Sequence, residues 1–156
     1  MIDLAIAKGI HVLSIVVWIG GVAFVTSVLI PAIRNSTDET VQISILNHIE
    51  SRFSKIARFA VVVAGLSGFY MTYKLNAWYR FFEMQYAWMH AMVFIWLMFM
   101  FALFVIEPFT SKYHGRITKN YQISNHLLKT HIVHWMILIL SMTTIFFALL
   151  GSHGFF

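Results

Sequence analysis

Imidazole is the side chain with the most chemistry to offer in this sequence. Eight histidines stand beside only six acidic residues, and there is no cysteine in 156 residues. Without thiols the chain forms no disulfide, no thiolate zinc or iron–sulfur site and no covalent haem attachment. A metal would have to take nitrogen, carboxylate oxygen or thioether ligands. His11 and His90 fall inside long apolar runs, where an ionisable group is expensive and is read as functional by default. His131 and His134 open another such run, and their three-residue spacing puts them on one helical face. His48, His114, His126 and His153 fall in connections or the tail and read as solvated surface residues.

The elements that must position these rings follow from composition. The chain is 60% hydrophobic and 11% charged, against about 25% charged in an average soluble domain. Its mean hydropathy is +0.77. So few polar residues cannot cover a water-soluble surface. Four runs, 9–33, 56–73, 86–107 and 131–150, approach or exceed the roughly 20 helical residues that cross a bilayer. The expected fold is all-α, an integral membrane four-helix bundle forming a single transmembrane domain over residues 1–156. Residues 1–33 lack the short apolar core and small-residue cleavage site of a signal peptide.

Basic residues orient the bundle. Arg34, Arg52, Lys55 and Arg58 lie in or beside the first long connection, and Lys112, Arg116, Lys119 and Lys129 in the second. The other side has only Lys8, Lys74 and Arg80. The positive-inside rule therefore predicts cytoplasmic long connections and both termini on the outer, periplasmic side. It also accounts for the net charge of +5, so nucleic acid is not an expected partner. Ser36 and Glu39 form a capping box, and Val41, Ile45, Ile49, Phe53 and Ile56 recur at helical spacing. They predict an amphipathic cytoplasmic helix over about 37–55 that leads into the second span.

Depth then sorts the histidines. His11 lies about 3 Å below the outer end of its span, and His90 about 6 Å, at 1.5 Å rise per residue. Ser14, Trp18, Val22 and Val25 share the face of His11. Small residues (Gly65, Ser67 and Gly68 in the second span, Ser141, Thr143, Thr144 and Ala148 in the fourth) leave room for a flat ligand. Two neutral imidazoles on facing helices can hold haem iron from both sides. The expectation is a non-covalent haem b with His11 and His90 as axial ligands, lined by Ser14, Trp18, Gly65 and Gly68. Lys8, Lys74 or Arg80 would pair the propionates. The alternative is that each ring merely joins neighbouring helices. His131 and His134 are candidates for a second haem or a metal near Glu107, or for an interfacial pair anchored by Trp135. Nine methionines raise copper as an alternative metal. Yet Met89 and Met100 lie about 100° round the third helix from His90, which suits packing better.

The run His11-Val12-Leu13 through Trp18-Ile19-Gly20-Gly21 resembles the opening helix of CopD-type copper-resistance membrane proteins and of the related HemJ-type protoporphyrinogen oxidases. Pro31, Glu50-Ser51-Arg52-Phe53, Gly65, Gly68 and Trp88-Met89-His90 fit the same pattern, over roughly the first 110 residues. The HemJ resemblance implies a b-type haem in a four-helix bundle, with His11 as ligand, and oxidation of protoporphyrinogen. Those oxidases carry a lysine where this chain has Met92, and a basic Pro-Arg segment where it reads Val28-Leu29-Ile30-Pro31. The CopD resemblance implies copper passage. Three readings stand side by side. One is a multi-pass protein of a bacterial inner membrane that relays electrons between haem and a quinol or partner protein. The second is a copper transporter with His11, His90 and Met89 as waypoints. The third is a non-catalytic scaffold. A homo-oligomer is compatible with each.

Overall fold

The structure is a computed structural model that describes residues 2–35, 39–109 and 123–154, with backbone alone for 39–44, 46, 47, 50, 51 and 123–127. The capping box at Ser36 and Glu39, the side chain of His126, and the connection carrying His114 therefore lie outside the described residues.

Every described element is helical, because apolar runs in lipid can satisfy backbone donors only internally. Four helices are long and apolar enough to cross a membrane: Ile2–Arg34, Arg52–Lys74, Met84–Phe109 and Leu128–Ser152. The second belongs to one unbroken helix, Glu39–Lys74, so the segment expected to lead into the span is continuous with it. Asn76 turns the chain after it with a left-handed φ of 49°, a conformation that asparagine tolerates better than most residues. Short 3₁₀ turns over Ala77–Phe82 and Met84–Tyr86 then lead into the third span.

The core joins all four spans around Trp18, Ile19 and Val22 from the first, Ala60, Val61 and Ala64 from the second, Ile95 and Phe99 from the third, and Leu138 from the fourth. Small residues on the second span bring the helices close, as membrane helix packing requires. Trp18 meets Phe99 edge-on, with ring centroids 4.6 Å apart.

Both odd-numbered spans continue through a proline, and both solve the problem identically. In the first span Val25–Leu29 widens to a π-helical turn, and Ile30 N–H donates to Val25 O. The Thr26 carbonyl has then lost its α-helical donor, and its π-helical donor would be Pro31, which has no N–H. In the third span Ala102–Ile106 widens likewise, and Glu107 N–H donates to Ala102 O. Pro108 leaves the Leu103 carbonyl in the same position. Each stranded carbonyl is taken by a side chain from another span. His131 Nε2 lies 2.9 Å from Thr26 O, and Arg58 Nε donates to Leu103 O at 3.0 Å. Arg58 also pairs with Glu107 at 3.4 Å.

Candidate functional site

His11 turns into the bundle against the second span. Its Nδ1 lies 2.8 Å from Ala64 O and 3.1 Å from Ser67 Oγ. A bare lone pair 2.8 Å from a carbonyl oxygen would be repelled, so the hydrogen bonds assign the proton to Nδ1, which donates. Ser67 in turn donates to Val63 O at 2.6 Å, leaving its own lone pairs for His11. Among the described residues Nε2 has no hydrogen-bond partner, so its lone pair could coordinate a metal, as in histidines whose second nitrogen is fixed by a carbonyl.

Gly68 makes this approach possible. A Cβ on Gly68 would stand 3.2 Å from His11 Cε1. Gly65 does the same for a different ring, since a Cβ there would stand 2.5 Å from the Trp96 indole. Trp96 Nε1 donates to Val61 O at 2.9 Å. Each glycine lies one helical turn beyond the carbonyl that receives the neighbour's N–H. The room that the sequence offered for a flat ligand at Gly65 and Gly68 is thus occupied by Trp96 and His11.

Ser14 and Trp18 are buried, and His11 is half-buried. Ser14 Oγ donates to its own helix at Ile10 O, 2.7 Å away. Trp18 Nε1 is buried without a hydrogen-bond partner among the described residues. Such an orphaned donor is unusual in a native interior and invites an additional bound group.

His90 is placed elsewhere. Its ring is exposed, Nε2 lies 3.0 Å from Phe81 O, and Phe81 packs edge-on against it at 5.6 Å. The 3₁₀ turn Ala77–Phe82 creates that contact, and nothing in residue spacing foretold it. The structure brings His11 together with Ser67 and Gly68, but gives His90 none of those partners. A cavity of about 450 Å³ lies between the third and fourth spans at the end carrying both termini. Trp88, Ala91, Thr143, Thr144 and Phe147 line it with Met84, Gln85 and Ala87, and neither His11 nor His90 does.

At the other end, His131 contacts Thr26 O, and its Nδ1 lies 3.5 Å from Arg34 Nη1. His134 Nδ1 donates to Thr130 O of its own helix at 2.8 Å. Glu107 pairs with Arg58. Among the described residues no three histidine or acidic side chains group as a metal site. Of the cations considered for propionates, Lys74 pairs with Asp3 at 3.4 Å, and Arg80 lies over the Tyr79 and Tyr86 rings.

For haem, the imidazole of His11 could supply a nitrogen ligand to the iron, while a two-histidine clamp with His90, whose Nε2 lies 3.0 Å from Phe81 O, does not fit the side-chain positions seen. The residues that sequence reasoning missed are Arg58 and Trp96, and the signals for them were Pro108 and Gly65. No protein-family model, curated protein or solved structure matches the chain.

Proposed function

We propose that this chain is a multi-pass membrane protein that binds haem b non-covalently and serves electron transfer, with its termini on the outer side of a bacterial inner membrane. His11 is the protein ligand. The observation that supports this reading is the anchoring of its ring, with Nδ1 within hydrogen-bond distance of Ala64 O and Ser67 Oγ and Nε2 without a partner among the described residues. Haem bound there supplies a one-electron couple. His11 would hold the iron, Ala64 and Ser67 orient the imidazole, and Trp18 offers an N–H inside the bundle. A quinol or a partner protein would exchange the electron.

Protein purified in detergent from haem-sufficient cells should show a Soret band and reducible b-type visible bands, both lost in His11→Ala. Ser67→Ala should retain haem with a shifted midpoint potential. A colourless, iron-free protein overturns the proposal. Stoichiometric copper in its place, again lost in His11→Ala, would establish the copper reading.

A further inference from the structure

The two proline bulges are captured by side chains of different kinds. Arg58 is permanently charged and only donates. It is held further by Glu107 and by the Phe104 ring, 5.8 Å from its guanidinium carbon. His131 is an amphoteric ring with competing partners. Its Nε2 lies 2.9 Å from Thr26 O and also 2.9 Å from Trp135 Nε1. The carbonyl requires a proton on Nε2, whereas the indole N–H requires a lone pair there. One nitrogen of a neutral imidazole cannot provide both.

The ring therefore has two mutually exclusive arrangements. In the first, Nε2–H donates to Thr26 O and Nδ1 accepts from Arg34, whose Nη1 is 3.5 Å away. In the second, Nε2 accepts from Trp135, the proton sits on Nδ1 facing Arg34, and Thr26 O loses its donor. Thr26 is 0% exposed, so water cannot replace the lost bond in place. The bulge must bend until the carbonyl finds another donor. Prolines and π-turns are where helices bend.

We propose that His131 is a two-position latch on the bulge of the first span, alternating between Thr26 O and the Trp135 N–H. The turn below the bulge, Ile30–Arg34, moves with it. The third span carries the same bulge, but Arg58 keeps it closed. The inference stands apart from haem binding, because it concerns the opposite end of the bundle.

The chain has no cysteine, and Ile33, below the bulge, is 3% exposed. Ile33→Cys is therefore a single buried thiol whose labelling rate by a small permeant maleimide in detergent reads the opening. In that background Trp135→Phe removes the competing donor and should slow labelling roughly fivefold, the population shift expected for one hydrogen bond. His131→Ala should speed it by a similar factor. Adding Pro31→Ala restores a continuous α-helical ladder, so Ile30 N–H can serve Thr26 O and the rate becomes insensitive to both changes. If His131→Ala fails to fold, Trp135→Phe with and without Pro31→Ala decides alone. Labelling that is unchanged or faster in Trp135→Phe, or equally sensitive to Trp135→Phe after Pro31→Ala, overturns the latch.

Discussion

Trp96 reaches the Val61 carbonyl, 2.9 Å away on the second span, through a gap that exists because Gly65 has no side chain. His11 reaches Ala64 O through the gap at Gly68 in the same way. One helix thus presents two backbone acceptors to two neighbours, each exposed by a glycine four residues further on. Gly65→Ala would drive a methyl group to 2.5 Å from a ring clamped by its own hydrogen bond. Overpacking of this kind costs about 1–3 kcal/mol. Gly68→Ala meets only the edge of His11 at 3.2 Å and should cost less. Thermal unfolding in detergent should rank Gly65→Ala as the more destabilising, and the reverse order would show that the glycines do not act as gaps.

Haem retention should separate the two histidines in the half of the bundle nearer the termini. His11→Ala removes the imidazole whose tautomer is set by Ala64 O and should abolish the Soret band. His90→Ala removes an exposed ring that holds Phe81 and should leave the band in place. Equal loss in both variants would mean that His90 leaves Phe81 to ligate, and would restore the two-histidine clamp.

The contrast between these residues shows how far the sequence could be read. Four spans were legible because bilayer thickness imposes a length and an apolar composition that few other constraints imitate. Azimuth was not. The facing of His90 depends on how the Ala77–Phe82 turn folds back after Asn76, and no periodicity records that. Gly65 and Gly68 were visible as small residues, but an unfilled gap and a gap filled by Trp96 have the same sequence. Pro108 looked like a span end and Pro31 lay inside the first run without explanation, yet the helices continue to Phe109 and Arg34 because π-turns absorb the missing donors.

Arg58 should be sensitive to shape as well as to charge. Its Nε serves Leu103 O while its Nη2 faces Glu107, a forked geometry that lysine cannot reproduce. The side chains of the pair are 33% and 22% exposed, which tempers the ionic contribution. Arg58→Lys should cost about 1 kcal/mol through the lost carbonyl bond, and Pro108→Ala in the same chain should recover most of it by returning an N–H to the third span. Denaturation of the single and double variants checks this, and strict additivity would deny that Arg58 compensates for the proline.

Two tryptophans offer a matched comparison of a bonded and an orphaned donor. Trp96 Nε1 has Val61 O as its acceptor, whereas Trp18 Nε1 has no partner among the described residues although the residue is only 5% exposed. Replacing either by Phe removes the same pyrrole ring and its N–H. At Trp96 the substitution also discards a hydrogen bond, at about 0.5–1.5 kcal/mol. At Trp18 it removes a buried donor that no described residue satisfies, which offsets part of the packing loss. In haem-free protein Trp96→Phe should therefore be the more destabilising by about 1–2 kcal/mol. In haem-loaded protein the difference should shrink if the Trp18 N–H contacts the bound group, because Trp18→Phe then forfeits a real bond. A gap that stays constant on loading would remove Trp18 from the site and leave His11 as its sole anchor on the first span.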